Sequence, residues 1–274
     1  MKIYRFEHGK KTLYGILKEE RVYPLSGSIF GTFRVEKGGL LISRVRLLPP
    51  VEPTKIICVG RNYREHSREM GNPVPEEPLI FMKPPSAIIG PGEAILYPAV
   101  SQRVDYEGEL AVVIKRVAQR LAEDTDIGEF VLGYTCFNDV TARDLQVNDV
   151  QFTRAKSFDT FAPVGPCIAA GIDPSQLRIK TFLNGKLRQS ASTRNMVFPV
   201  PFLVRYMSHI MTLCPGDIIA TGTPEGVGPM FPGDRVDIQI EGIGTLSNTV
   251  SKDEFKREPS GDEKRLRLEK RRRT

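Results

Sequence analysis

Short apolar runs, separated by turn-forming residues, recur along this chain and limit its fold more than any other feature. The clearest runs are KIICVG, LIFMKP, AVVIKR, VLGYTCF, IATG and VDIQIEG. Runs of this length that are rich in β-branched and aromatic residues favour strands over helices. Two Pro-Gly-Asp turns, at 215–217 and 232–234, each lead directly into such a run. We therefore expect an α+β fold that is mostly β.

Helical patterns are few, and they lie between the strand-like runs. They cover residues 62–70, the VTARDLQ stretch after Asn138 and the FLVRYMSHIMTL stretch. Further strand-like segments occupy the first 50 residues and end at a proline-rich linker, LLPPVEPTK. The sequence thus predicts a small N-terminal β domain at 1–50, a larger domain at 51–250 and a charged, flexible tail at 251–274.

The positive charge of the chain is concentrated at its C-terminal end. The net charge is +6, and residues 251–274 hold ten Lys or Arg against six Asp or Glu, whereas residues 1–250 hold 29 against 27. Such a charge-dense, apolar-poor segment is typical of a solvated tail. Nucleic-acid binding is therefore not expected of the body. An anion- or RNA-binding protein that acts through this tail is the alternative from another functional class.

Neither a membrane segment nor an oxidising compartment is indicated. No apolar run approaches the ~18 residues that a membrane span requires. The cysteines are far apart, form no CxxC pair and have no neighbouring histidine: Cys58, Cys136, Cys167 and Cys214. Cysteines in this pattern are typical of buried thiols in a reducing compartment. We expect a cytoplasmic protein.

The segment VDYEGELAVVIK, at residues 104–115, carries the most informative acids. If it is a strand, alternation places Asp105, Glu107 and Glu109 on one face. Neighbouring carboxylates beside an apolar segment repel one another unless a cation lies between them. An all-oxygen site favours a hard cation such as Mg²⁺ or Mn²⁺. The alternative is an edge strand whose acids face solvent.

A third acid lies at the end of another apolar run. Asp139 follows VLGYTCFN and precedes the helix-like VTARDLQ, so it is placed to complete a ligand set or, alternatively, to cap that helix. Arg143 and Gln146 are three residues apart and would share a helix face towards the same pocket. The alternative for Arg143 is a salt bridge with Asp144 or another acid.

Two polar segments complete the candidate chemistry. His66 and Glu69 would share a helix face, where a carboxylate orients an imidazole and raises its basicity; the alternative is a surface ion pair. The surrounding stretch, residues 60–78, is polar and bounded by glycine and proline, as expected of a mobile lid. TGTPEGVG, at 221–228, supplies glycine-rich backbone and the Thr223 hydroxyl but lacks the GxxxxGK of a nucleotide-binding loop.

Taken together, these motifs resemble the fumarylacetoacetate hydrolase family in its shorter form. That form includes acylpyruvate hydrolases, oxaloacetate decarboxylases and 2-hydroxyhepta-2,4-diene-1,7-dioate isomerases. The similarity covers residues 55–250, in the family's order, through GRNYREH, LIFMKP, YEGELAVVI, NDVTARDLQ, AKSFDTFAPVGP and PGDIIATGTPEGVGP.

The resemblance implies a fold, a metal site and a set of catalytic groups. The fold would be a mixed β-sandwich roll. A divalent cation, Mg²⁺ or Mn²⁺, would be held by Glu107, Glu109 and Asp139. The resemblance also assigns catalytic roles to His66, Glu69 and Lys156 and substrate binding to Arg143, Gln146 and Thr223.

It further implies a metal-dependent enzyme that acts on a 2-oxo acid or its enol through a metal-stabilised enolate. Hydrolysis of a C–C bond in an acylpyruvate is the leading expectation, with His66 activating the water. Decarboxylation of oxaloacetate and isomerisation of a hydroxyheptadienedioate share the enolate step and remain alternatives. The expected partners are a small 2-oxo acid and a second copy of the chain, in a homodimer.

Overall fold

The computed structural model describes residues 1–253, and within them the chain is mostly β, as predicted. The N-terminal strands are β1 Lys2–His8, β2 Lys11–Lys18, β3 Arg21–Gly27, β4 Phe33–Val35, β5 Leu40–Leu41 and β6 Arg46–Leu47. The next strands are β7 Ile56–Gly60, β8 Leu79–Lys83, β9 Ile88–Ile89, β10 Ala94–Tyr97, β11 Val104–Tyr106, β12 Gly108–Ile114, β13 Val131–Asn138, β14 Thr141–Ala142 and β15 Ala162–Ala169. The last are β16 Arg178–Leu183, β17 Lys186–Ser192, β18 Ile218–Ala220, β19 Gly228–Met230, β20 Arg235–Ile240 and β21 Gly244–Lys252.

Short helices connect some of these strands. The α-helices are α1 Arg64–Glu69, α2 Arg143–Asn148, α3 Thr153–Lys156 and α4 Val200–Ile210. Single 3-10 turns lie at Ile42–Arg44, Pro85–Ala87, Ile127–Glu129, Pro174–Gln176 and Thr193–Asn195. None of the helices in the described part of the chain is long and apolar enough to cross a membrane. The cysteines are free thiols, and all but Cys214 are fully buried.

The strands form one large sheet and two smaller ones. The large sheet has the order β4-β3-β2-β1-β15-β13-β12-β18-β7-β8, with β5, β6 and β9 paired beside it. A second sheet has the order β10-β21-β20-β16-β17, and a three-stranded sheet has the order β14-β11-β19. In the large sheet β7 and β18 are parallel, whereas β12 is antiparallel to both β13 and β18.

The centre of the large sheet is buried on both faces. In β12, Leu110 and Val112 belong to one apolar cluster, whereas Ala111 and Val113 belong to another, because successive side chains point to opposite faces. The first cluster also contains side chains of β16, β20 and α4, so the five-stranded sheet packs against this face. The predicted β-sandwich roll is confirmed.

The close approach of the two sheets depends on a glycine. A Cβ atom at Gly108, the first residue of β12, would lie 2.2 Å from the Thr181 Oγ1 atom of β16. Any other residue type at this position would have to displace the Thr181 side chain. The glycine thus lets the second sheet pack directly behind the acidic segment.

The N-terminal strands extend the large sheet. β1 pairs antiparallel with β15, with Lys2 opposite Ala169, and Ile3, Phe6 and Val22 are fully buried.

At the C-terminal end of the described chain, β21 continues to Lys252, two residues into the segment that we expected to be a tail. The rest of that tail lies outside the described residues, and the RNA- or anion-binding alternative that depends on it stays a prediction.

One helix begins later than the sequence pattern suggests. Thr141 and Ala142 pair with β11 as the short strand β14, and Ala142 is extended. The helix therefore begins at Arg143, and Asp139 does not cap it. Pairing with a distant strand overrides the helical preference of VTARDLQ, because an extended backbone at this point completes the three-stranded sheet.

Candidate metal and substrate site

The ends of four neighbouring strands meet at one edge of the large sheet. β7 and β18 are parallel and end there, whereas the antiparallel strand β12 begins there and β13 ends there, with Gly108 opposite Asn138. The segments that follow β7 and β18 are the GRNYREH and TGTPEG motifs. Residues that are far apart in the sequence are thus brought together at this edge.

Three carboxylates lie at the centre of this edge. Glu107 precedes β12, Glu109 is its second residue, and Asp139 follows β13. Each offers an oxygen atom, and these atoms all lie within 4.8 Å of one another. The three residues are buried, with exposures of 5%, 1% and 1%. The alternative of an edge strand with solvated acids is therefore wrong.

Glu107 is held by two cationic side chains. Lys156, at the end of α3, places its Nζ atom 2.9 Å from Glu107 Oε2 and 2.7 Å from Asp139 Oδ2. Arg143 donates from Nη2 to Glu107 Oε1 and from Nε to Asp105 Oδ2, at 2.5 and 2.8 Å. Burial opposes the charge of Glu107, yet these cations hold its pKa well below the ordinary value.

Arg143 and Gln146 face the same pocket, as their spacing predicts. Gln146 Oε1 accepts a hydrogen bond of 2.5 Å from Arg143 Nη1. The alternative for Arg143, a salt bridge with Asp144 or another acid, is confirmed for other acids, Asp105 and Glu107. Within the described residues Arg143 does not pair with Asp144, which accepts hydrogen bonds from Ser101 and Gln102. The guanidinium is therefore committed to Asp105 and Glu107, and it braces the acidic cluster.

A lysine to which sequence reasoning gave no role completes the cluster. Lys83, at the end of β8, is fully buried, and its Nζ atom lies 2.5 Å from Asp139 Oδ1 and 2.9 Å from the Val140 carbonyl oxygen. Burial lowers the pKa of Lys83, and Asp139 opposes this effect. The available signal was a lysine inside the apolar run LIFMKP, because a buried lysine is rare unless it is paired.

Within residues 1–253, no side-chain cation forms an ion pair with Glu109. Among the described residues, its hydrogen-bond donor is the backbone N–H of Gly222, at 2.8 Å. Burial and the charges of Asp139 and Glu107 raise the pKa of Glu109 well above its ordinary value. The three buried carboxylates, one of which has no paired cation, form the all-oxygen donor set that a hard divalent cation prefers. These residues therefore fit such an ion.

His66 lies on α1 at the wall of the same cavity. It is 6% exposed, and its Nδ1 atom is 3.2 Å from Glu69 Oε2. Glu69 also accepts from the backbone N–H of Gly226, at 3.0 and 3.1 Å, and so joins α1 to the 221–228 loop. The alternative of a surface ion pair is wrong for His66, because its ring is buried.

Thr223 lies in that loop, directly behind the acids. Its Oγ1 atom donates to the Gly108 carbonyl oxygen at 3.1 Å and accepts from Gln189 Nε2 at 2.8 Å. Gln189 thereby fixes the hydroxyl from β17, a contact that the sequence gave no reason to expect.

The cavity at this edge has a volume of about 320 Å³. Of the predicted site residues, all except Glu69 line it: His66, Glu107, Glu109, Asp139, Arg143, Gln146, Lys156 and Thr223. Arg61 and several apolar side chains, including Phe81 and Phe152, complete the wall. The Lys156 Nζ atom lies 5.1 Å from the centre of the Phe81 ring, within the range of a cation–π contact.

The sequence matches two known families. Residues 55–251 match the family described as fumarylacetoacetate (FAA) hydrolase, C-terminal, and residues 1–50 match the Rv2993c-like N-terminal family. Oxaloacetate tautomerase YisK of Bacillus subtilis is 45% identical over 224 residues, which cover 76% of this chain and 75% of that protein.

Solved structures are also similar to this chain. The crystal structure of 5-carboxymethyl-2-hydroxymuconate delta-isomerase from Mycobacterium smegmatis has a TM-score of 0.86 and 41% identity, covering 92% of this chain and 100% of that chain. Maleylpyruvate hydrolase from Sphingobium sp. SYK-6, solved with manganese(II) and pyruvate, has a TM-score of 0.77 and 32% identity, covering 92% and 99%. The chain belongs to the fumarylacetoacetate hydrolase family and, like its named relatives, is an enzyme, as its motifs predict.

Proposed function

We propose that this enzyme interconverts the keto and enol forms of a 2-oxo acid of the oxaloacetate type. The observation that carries the proposal is that three buried carboxylates and an oriented histidine line one small cavity. Glu107, Glu109 and Asp139 would hold Mg²⁺ or Mn²⁺. Such an ion supplies electrostatic stabilisation of negative charge on the substrate's 2-oxygen and carboxylate.

The cationic side chains keep the ligand oxygens in place. Lys156 contacts both Glu107 and Asp139, whereas Lys83 holds the other oxygen of Asp139. Because Lys156 also lines the cavity, its ammonium group is placed to stabilise negative charge that develops on the substrate. These groups are fixed by buried ion pairs, so little reorganisation is needed during the reaction.

His66 is the candidate proton-transfer group. Glu69 accepts from the ring at Nδ1, so the neutral imidazole carries its proton there and Nε2 is left free to accept one. Nε2 would take a proton from C3 of the keto acid and deliver it to the 2-oxygen of the resulting enolate, which gives the enol. In the reverse direction it would take the enol proton from the 2-oxygen and deliver it to C3. Tautomerisation needs only this shuttle and a stabilised enolate, and no attacking water.

Two of the relatives are named for different reactions, and in this proposal both reactions share an enolate intermediate. The Bacillus subtilis relative is an oxaloacetate tautomerase, whereas the Sphingobium structure is a maleylpyruvate hydrolase. Tautomerisation takes precedence because the relative that performs it is the more similar in sequence. Hydrolysis of an acylpyruvate, our leading expectation from the sequence, becomes the second candidate, in which His66 would activate a water.

The test is the tautomerisation of oxaloacetate, followed through the absorbance of its enol with Mg²⁺ or Mn²⁺ present. Replacing a positioned general base typically lowers the rate by about 10²–10⁴-fold. His66→Ala should cause a loss of that order and leave Mn²⁺ affinity unchanged. His8→Ala is the matched control, because His8 is exposed on β1, outside the cavity wall.

An acylpyruvate and a hydroxyheptadienedioate, assayed in parallel, separate the candidates. Rapid acylpyruvate cleavage without oxaloacetate tautomerisation would replace the proposed reaction by hydrolysis. If His66→Ala left the rate unchanged, the proposed role of the His66–Glu69 pair would be wrong.

A further inference from the structure

Arg61 differs from the other cationic residues of the cavity wall. It is half-buried, directly follows β7 and lines the cavity. Within residues 1–253, no hydrogen-bond acceptor or carboxylate is paired with its guanidinium. The other lining cations are committed, Arg143 and Lys156 to acids of the ligand cluster and His66 to Glu69.

The backbone around Arg61 is held rigidly. Arg61 has a φ of 55°, in the left-handed region that non-glycine residues seldom occupy. The next residue, Asn62, is fully buried and donates to the carbonyl oxygens of Phe198 and Thr221 at 3.0 and 2.8 Å. These buried bonds stabilise the turn, so Arg61 is presented to the cavity from a fixed position.

The other cations of the site are already paired with acids. Lys83 and Lys156 contact Asp139, and Arg143 contacts Glu107. The fourth buried acid, Asp105, pairs with Arg143 and with the half-exposed Arg103. A distal carboxylate that enters the cavity therefore finds its unpaired cation at Arg61, and burying that carboxylate without a partner would be costly.

We propose that Arg61 binds a second, distal carboxylate of the substrate, so that the cavity selects 2-oxo dicarboxylic acids over 2-oxo monocarboxylic acids. A guanidinium suits this role because its planar N–H donors match a carboxylate in a two-point contact. The inference rests on the proposed function, because it takes from that proposal that the 2-oxo acid end of the substrate lies at the carboxylate cluster. Oxaloacetate and maleylpyruvate, named for two relatives, both carry a second carboxylate.

Matched acids test this role through binding. Calorimetric titration of the Mn²⁺-loaded protein would compare oxaloacetate with 2-oxobutanoate, and 2-oxoglutarate with 2-oxopentanoate. The two acids of each pair have the same number of carbon atoms. They differ only at the distal end, where the diacid has a carboxylate and the monoacid a methyl group. In the wild type, at least one diacid should bind about ten- to a hundredfold more tightly than its monoacid, as expected for a charge-assisted bidentate contact.

Arg61→Met should abolish that preference and leave monoacid affinity unchanged, whereas Arg61→Lys should retain part of it. Both replacements are L-residues with long side chains, so they meet the same backbone strain as arginine. Arg64→Met is the control, because Arg64 is exposed on α1 and does not line the cavity.

The outcomes separate this inference from the proposed function. Equal binding of diacid and monoacid by the wild type, or a preference that persists in Arg61→Met, would overturn the role of Arg61 alone. If no acid binds to the Mn²⁺-loaded protein, both the inference and the proposed function are overturned. A diacid preference that depends on Arg61 supports the inference even where no turnover of oxaloacetate is observed.

Discussion

At the scale of single residues, the site depends on buried charges that restrain one another. Lys83 and Lys156 contact different oxygens of Asp139, and Arg143 links Glu107 to Asp105. Removing one partner of a buried pair leaves an uncompensated charge, which typically costs about 3–5 kcal/mol. Substitutions that preserve shape are therefore the informative ones.

Asp139→Asn should weaken Mn²⁺ binding by at least about 100-fold, because it removes one ligand charge and leaves Lys83 without its carboxylate partner. Titration of the purified protein with Mn²⁺ should show one site in the wild type. Glu129→Gln is a suitable control, since Glu129 is an exposed acid paired with Arg116. Unchanged affinity in Asp139→Asn would contradict the assignment of this ligand.

Glu109 should make the metal-free protein less stable as the pH rises. Its folded-state pKa is raised by burial and by Asp139 and Glu107, so the folded chain retains a proton that the unfolded chain releases above about pH 4. Stability is therefore lost between the unfolded and the folded pKa, and it is fully present below both.

Thermal unfolding in EDTA, measured from pH 5 to 8, checks this effect. The Tm of Glu109→Gln should fall less across that range than the Tm of the wild type, because an amide does not ionise. Added Mg²⁺ should raise the wild-type Tm at pH 8 more than that of the variant. Parallel Tm curves for the two proteins would show that Glu109 is not responsible.

At the scale of elements, α1 and the 221–228 loop form one wall of the cavity, which we predict to be mobile. The helix has only six residues, and Glu69 joins it to the loop through the Gly226 N–H. His66 and Ser67 are buried, whereas the rest of the helix is exposed. In the structure α1 therefore contacts the site. The mobility of this segment stays a prediction.

Hydrogen exchange across residues 62–77 should slow when oxalate, an enolate mimic, is added with Mg²⁺. A segment with few buried apolar contacts opens at low free-energy cost, and a ligand that contacts His66 stabilises the closed form. Residues 200–210 of α4 provide an internal control, since this helix packs in the apolar core. Equal exchange at 62–77 with and without oxalate would contradict closure.

At the scale of the whole molecule, the first 50 residues share the sheet and the core of the rest. β1 lies between β2 and β15, and Phe6 belongs to the same apolar cluster as Leu110 and Val112 of β12. A fully buried side chain of this kind contributes about 1.5–3 kcal/mol. The segment therefore stabilises the sheet that presents the site.

Deleting residues 2–50 should lower the Tm markedly and promote aggregation, because it leaves an edge of β15 unpaired and exposes apolar surface. Thermal unfolding and light scattering would measure both effects. Removal of residues 259–274 is the comparison, for which the sequence predicts unchanged turnover. A soluble deletion variant with wild-type Tm would show that residues 1–50 fold and function apart from the sheet.

The sequence by itself determined the features that depend on neighbouring residues. Alternation along residues 104–115 predicted Glu107 and Glu109 together, although the structure divides this segment into β11 and β12 at Glu107. Helical spacing placed His66 beside Glu69, and the motif set placed Asp139 with the other acids. The β-rich composition of the runs was enough to predict a mostly β fold. These signals are local because strand and helix periods are fixed by backbone geometry.

Only the tertiary structure decided which distant groups meet. Lys83 pairs with Asp139 across 56 positions of sequence, and Arg143 pairs with Asp105 instead of the adjacent Asp144. The pairing of Thr141 and Ala142 with β11 delays α2, so Asp139 is left free of a capping role. Such contacts depend on strand order and on the need of each buried charge for a partner, and no local pattern specifies either.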